Sequence, residues 1–304
     1  MHCIKKLNYE CDFSIQTSRE IFEKCTLPVI TYGSEIWGTS VHDDVENVLV
    51  QYCRMQLGVN TNAPGPAVLG ECGSHGVYVY CYVKCVKYWL KLTSLPDGNI
   101  TKSCYTMLLK HCKLGRKNWA SEIKHLLYRY GFGYVWENQG NIYHDQFLEE
   151  FKMRVVNCHR QNWSENMSNM SKLRTFSLFK SSLSVETYLL LDIPHRFRKA
   201  LSKFRIGIHD LEIEIGRRSN VPPKDRLCKL CLSINEQHVE DEYHVICSCS
   251  FYADLRRTYL FEHAHANLFD FVKLMKEDNK DCVTSLAMYI ISMFKVRSAL
   301  LKSL

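Results

Sequence analysis

The sequence predicts a mainly α-helical chain carrying one small metal-stapled module near its C-terminus, and three observations carry that prediction. Apolar residues recur at three- and four-residue spacing along most of the chain, the period of a helix with one buried face. Only Asp210-Leu-Glu-Ile-Glu-Ile-Gly216 alternates strictly, as an extended or half-buried segment would. Cys228-Lys-Leu-Cys231, then His244 and Cys249, form a ligand pattern of the kind that closes on one metal ion.

The metal pattern is the most specific signal. Two cysteines two residues apart reach one ion from a single tight turn, and a His and a Cys from the next element complete a tetrahedron of soft N/S donors that suits Zn²⁺. The predicted ligands are Cys228, Cys231, His244 and Cys249, with Cys247 as the alternative fourth donor. A chain with 15 cysteines holds some Cys pairs by chance, and Cys81/Cys85 is a near miss without a His. The polar spacer Ser233–Glu242, with donors at both ends, favours metal. Four protein ligands leave no open position, so the ion is expected to be structural.

At 304 residues the chain can hold two or three domains. Thirty-nine basic against 32 acidic residues give a net charge of +7, which permits a polyanionic partner without demanding one. The odd cysteine count and an N-terminus, Met-His-Cys-Ile-Lys-Lys, without an apolar run lead us to expect reduced thiols inside a cell. No apolar run reaches about 18 residues, so no membrane span is expected; Cys282–Phe294 reads as a buried helix.

In chain order, Cys11–Lys24 is weakly periodic on Phe13, Ile21 and Phe22, and the block Leu27–Gly38 is apolar and broken by Pro28, Gly33 and Gly38. Asp43 or Asp44 caps a helix on which Val45, Val48, Leu49 and Tyr52 recur, so the paired aspartates open a helix and are not a two-metal carboxylate dyad. Gly58–Gly76 reads as turns. Val77–Leu95 is a buried helix, and Leu95-Pro-Asp-Gly-Asn99 a turn. Two amphipathic helices follow over 103–130, broken at Gly115–Asn118 and stopped at Gly131. The second has Trp119, Ile123, Leu126 and Leu127 on one face, and Asp145–Asn162 turns Phe147, Phe151, Val155 and Val156 inward. Ser164–Ser171 reads as a loop and domain boundary. From Pro194 a helix places Phe197, Leu201, Phe204 and Ile208 on one stripe and Arg196, Lys199 and Lys203 off it; Arg217 and Arg218 continue the positive charge toward the cysteines. These five are the predicted phosphate-binding residues.

Several blocks resemble the C-terminal, post-palm region of non-LTR (LINE-like) retrotransposon reverse transcriptases. They are Leu27-Pro-Val-Ile-Thr-Tyr-Gly-Ser-Glu-Ile-Trp-Gly38, Tyr52-Cys-Arg-Met-Gln-Leu-Gly58, Trp119-Ala-Ser-Glu-Ile-Lys124, His209-Asp-Leu-Glu-Ile-Glu-Ile-Gly-Arg217, the run from Arg226 to His244, and Met293-Phe-Lys-Val-Arg297. The resemblance implies helical thumb-like and linker bundles followed by a Cys-Cys-His-Cys zinc knuckle on the same four ligands, holding RNA or DNA. It implies a thumb-like remnant over 1–60, a linker over 61–163, a basic helix and extended segment over 172–220, the knuckle over 221–262 and C-terminal helices over 263–304. The family's aromatic-x-Asp-Asp polymerase motif does not occur, and neither does a Pro-Asp…Asp/Glu-x-Lys nuclease pattern after Cys249. The expectation is therefore a nucleic-acid-binding fragment that is not an enzyme, or a structural or protein-interaction remnant in which zinc only completes the fold.

Overall fold

The computed structural model describes residues 14–139, 143–260 and 267–303; Phe13 and the residues before it lie outside that range. The described chain is mainly helical, and its only β pairing consists of two isolated antiparallel bridges, Cys72–Val185 and Leu227–Val239. Two compact units divide it: one contains 20–49 and 75–162, the other 50–74 and 163–304.

The first unit is built on the helix Val77–Ser94, which buries Cys81, Tyr82, Cys85, Val86, Trp89 and Leu90. Its first turn has exposed amides to satisfy, and Glu46 of the helix Asp43–Leu57 accepts from Val77 N–H at 3.0 Å and Tyr78 N–H at 2.6 Å. Trp89 stacks on Trp136 with centroids 5.8 Å apart, and its indole N–H donates to Tyr105 Oη at 2.9 Å. A buried indole keeps a partner in this way. The helix Trp119–Arg129 starts at a capping box between Asn118 and Ser121 and buries Ile123, Leu126 and Leu127 as expected. Gly131, at φ 84°, ends it. The helix His144–Ser168 contributes Phe147, Phe151 and Val155 to the same core.

The second unit packs the helix His195–Arg205 through Phe197, Leu201 and Phe204, and the helix Lys280–Ser303 through Val283, Leu286, Tyr289, Ile290 and Met293. That last helix is long and apolar enough to cross a membrane by length and composition alone, but its Arg297 is buried and ion-paired, the pattern of a core helix. A largely buried charge network also lies here. Arg205 Nε donates to Glu71 Oε1 at 2.9 Å while its Nη2 pairs with Glu186, which also holds Lys180. Removing one partner of such a pair strands the other, at a cost of about 3–5 kcal/mol.

Four expectations are corrected. Gly58–Gly76 contains the helix Gly65–Glu71, which presses Gly70 against the Trp163 ring so closely that an added Cβ would meet it at 2.8 Å. The helix beginning at Asp43 is led in by His42, whose carbonyl accepts from Val45 and Glu46. The stretch read as a loop from Ser164 stays helical through Ser168, since Trp163 and Met167 are buried one turn apart. The alternating stretch is not extended: Glu212–Arg218 is helical. Glu240 accepts the Glu212 amide through Oε2 at 2.7 Å, and its carbonyl accepts from Ile213 at 3.1 Å. Both acceptors belong to a residue distant in sequence, so period-two alternation was overridden by tertiary capping.

Candidate metal centre

The bridge between Leu227 and Val239 sets up a short hairpin, in which Cys228 N–H donates to His238 O at 2.8 Å and Glu240 N–H to Arg226 O at 2.9 Å. Cys228 leads into the one-turn helix Lys229–Leu232, which brings Cys231 back beside it. Asn235, at φ 63°, reverses the chain in a left-handed conformation that Asn tolerates. Ile234 and Glu236 amides then donate to the Cys231 carbonyl at 3.1 and 3.0 Å. On the return, Asp241 Oδ1 accepts from the His244 amide at 2.7 Å and starts the π-helical turn His244–Ser248. Cys249 N–H donates to His244 O at 2.9 Å, fixing the last donor.

The donor atoms of Cys228, Cys231, His244 and Cys249 all lie within 4.8 Å of one another, and all four residues are buried. Cys231 Sγ is 3.4 Å from His244 Nε2 and 3.7 Å from Cys249 Sγ. A tetrahedral ion with bonds of roughly 2.3 Å to sulfur and 2.0 Å to nitrogen has edges of roughly 3.5–3.8 Å, so the residues fit a metal ion. His244 Nδ1 lies 3.0 Å from Ser248 Oγ, an outer partner that orients the ring and leaves Nε2 to face the thiols. Cys247 stays outside the group, half-buried, its thiol pushed up to about 12 by burial. The competition for fourth donor resolves to Cys249.

The thiols compete for negative charge. The hydrogen bond from Cys249 holds Cys228 well below the ordinary thiol value against the opposing effect of burial. Burial, and then the charge on Cys228, pushes Cys231 up to about 11. The hydrogen bond to Cys228, with burial behind it, drives Cys249 well above the ordinary thiol value. A divalent cation removes this conflict because it binds cysteines as thiolates.

Two buried networks support the site, and neither was anticipated. Glu240 Oε1 lies 3.8 Å from Cys228 Sγ and takes Arg297 Nε at 2.8 Å, while Arg297 Nη2 reaches Glu240 Oε2 at 2.6 Å. Glu242 accepts from Arg174 Nη2 at 3.1 Å and Thr175 Oγ1 at 2.8 Å, and lies 3.1 Å from His209 Nε2. Burial alone would raise Glu242, yet His209 and Arg174 together hold it down to about 2. The available signal was the acidic run Glu240-Asp-Glu242 directly before His244, which is unlike a solvated loop only in its position.

The five predicted phosphate-binding residues separate into two groups. Arg196 is exposed with its guanidinium 4.9 Å from the Phe197 ring centroid, Lys199 is exposed, and Lys203 is half-buried on the same helix. Arg217 Nε is instead taken by Glu214 Oε2 at 2.9 Å and Arg218 Nη2 by Asp210 Oδ1 at 3.0 Å. Glu214 is buried and also holds Arg174 at 3.0 Å.

No protein-family model matches the chain, and no curated protein or solved structure matches it. The chemistry on offer is that of a closed site. Four protein donors leave no coordination position for water, so the ion would brace the hairpin and the turn that follows it.

Proposed function

We propose that the cluster holds one structural Zn²⁺ and that the chain is a non-catalytic nucleic-acid-binding segment related to the post-palm region of a non-LTR retrotransposon reverse transcriptase. The observation that carries this reading is the buried four-donor cluster, with its atoms within 4.8 Å of one another and two edges of 3.4 and 3.7 Å, on the ligand set that the family resemblance implies. Soft sulfur and imidazole donors favour Zn²⁺ over harder cations. When bound, the ion would supply structure only, and Ser248, Asp241 and Glu240 would orient the residues that hold it. Arg196, Lys199 and Lys203 would grip RNA or DNA phosphates, with Arg217 and Arg218 adding charge partly neutralised by their carboxylates. The thirteen described cysteines are all thiols, which supports a reducing, intracellular setting; we place the chain in nucleus or cytoplasm.

Metal content of the purified protein tests the first half, together with Cys228→Ser and His244→Ala. One zinc per chain, lost in both variants, is expected. Oligonucleotide binding across a salt series tests the second half, because each phosphate contact contributes to the slope of affinity against salt. Affinity indifferent to salt, or unaltered in Arg196→Glu/Lys199→Glu, would sink it.

A second reading, a structural or protein-interaction remnant, is favoured by the apolar block before the Asp43 helix. There Val29 is 73% exposed, Tyr32 85% and Ile36 58%, on residues the resemblance rests on. Under that reading, zinc is lost in the variants above while nucleic-acid binding is absent from the wild type.

A further inference from the structure

Between Lys84 and Arg129 the chain carries ten lysines and arginines against two carboxylates, Asp97 and Glu122, whereas the whole chain has 39 against 32. Among the described residues only Lys84 of those ten has a carboxylate partner, Glu35 at 3.9 Å. The cations near the zinc ligands are mostly neutralised by Glu214, Asp210 and Glu212, so these are the less compensated ones.

Their placement follows from helix geometry. Tyr80, Lys84, Lys87 and Lys91 fall within an arc of about 60° on the helix Val77–Ser94, with Tyr88 at its margin. Tyr80, Lys87 and Lys91 are exposed, and Lys84 Nζ sits 5.3 Å from the Tyr80 ring centroid. Tyr88 meets Trp119 edge-on at 5.8 Å, which joins this stripe to the hairpin between the helices Ile100–Lys113 and Trp119–Arg129. At its tip Lys113, Arg116 and Lys117 are exposed, and an added Cβ at Gly115 would meet nothing within 4 Å. Farther along, Lys124 Nζ lies 5.5 Å from the ring of Tyr128, which is 50% exposed. Cations thus recur beside aromatic rings along the helices of a single compact unit.

We propose that this face binds single-stranded nucleic acid, with the Lys87–Lys91 stripe and Lys117 on phosphates and the aromatic rings offering stacking platforms. Unpaired cations attract any polyanion, but rings set between them match the unstacked bases of a single strand, where each base presents a π-face. The surface lies wholly within the first unit, and the proposal does not require the knuckle-side helix.

The test uses the full-length protein, a fluorescein-labelled 20-nucleotide single strand and anisotropy titrations over a salt series. Lys87→Glu/Lys91→Glu/Lys117→Glu, all at exposed positions, is compared with Arg196→Glu/Lys199→Glu, and helicity is checked by circular dichroism. The triple variant is expected to bind at least about tenfold more weakly and to lose roughly two from the slope of log affinity against log salt, at about 0.7 per phosphate contact. Wild-type affinity and slope in the triple variant would overturn the proposal, even if the knuckle-side variant lost binding and so upheld the earlier reading. Loss in the triple variant alone would uphold this surface and remove the knuckle-side one. No binding by the wild type would overturn both. Binding to phosphatidylserine vesicles but not to the oligonucleotide, abolished by the same three changes, would overturn it in favour of a membrane surface using the exposed Leu114.

Discussion

Arg297, near the end of the last helix, holds both carboxylate oxygens of Glu240 through Nε and Nη2, and that carboxylate lies 3.8 Å from the sulfur of Cys228. Both residues are buried, Arg297 at 7% exposure and Glu240 at 1%. The pair therefore connects the metal-ligand hairpin to the C-terminal helix. Arg297→Leu leaves Glu240 as an uncompensated buried charge next to a thiol, at a cost of about 3–5 kcal/mol. A lower urea midpoint and faster proteolysis at the C-terminal helix are expected. An unchanged midpoint would show that the pair is energetically idle.

Removal of the metal should unfold its module selectively. Chelation, or Cys231→Ser, is expected to expose the Leu227–Cys249 segment to hydrogen exchange while amides of the Val77–Ser94 helix stay protected. Cys247→Ser should retain the ion, since Cys247 stands outside the donor group. Cobalt substitution gives a direct readout, because a thiolate-to-cobalt absorption weakened by about a third in Cys249→Ser but unchanged in Cys247→Ser assigns the fourth donor. The reverse pattern would assign it to Cys247.

His159 makes the first unit acid-sensitive. Its ring nitrogens meet Tyr78 Oη at 2.8 Å and the Gly76 N–H at 3.3 Å, and burial, aided by His75 and Arg160, holds it down to about 4 from an ordinary 6.5. The unfolded chain therefore takes up the proton first as pH falls. The stabilisation from neutral His159 is complete above about pH 6.5 and lost progressively toward pH 4, by about 3 kcal/mol. Urea midpoints over that range should fall steeply in the wild type and more gently in His159→Gln. Parallel profiles would exclude this group as the origin.

Gly38 stands where two backbones approach. A Cβ there would meet the Ser34 carbonyl at 2.5 Å and Cys81 Cβ at 2.9 Å, neither of which is the free end of a flexible side chain. Gly38→Ala should destabilise the first unit by about 1–3 kcal/mol through overpacking, read as a lower thermal midpoint. A neutral outcome would mean that the Ser34–Trp37 turn can slide on the Val77 helix.

The helices over 77–94, 119–129 and 144–162 were legible because their information is local. Trp89 and Leu90 recur at buried positions, Asn118 and Ser121 cap one another across three residues, and Gly131 sits where a left-handed stop is needed. The longer helix Lys280–Ser303 was less so, because Lys295, Arg297 and Lys302 interrupt its apolar run and resemble an exposed end. Nothing local reveals that Arg297 is buried against Glu240, 57 residues away.

By itself the sequence determined the helical class of this protein and a set of donors chemically able to hold a metal, since residue type, capping and 3.6-residue spacing act over a few neighbours. Tertiary structure alone decided that Cys249 and not Cys247 joins the cluster: the Cys249 sulfur lies 3.7 Å from that of Cys231, and Cys247 stands outside the donor group. It also made Glu212–Arg218 a helix and tied Arg217 and Arg218 to carboxylates while Arg196 stayed exposed. Those outcomes depend on acceptors and counter-charges brought from distant parts of the chain, which no local pattern encodes.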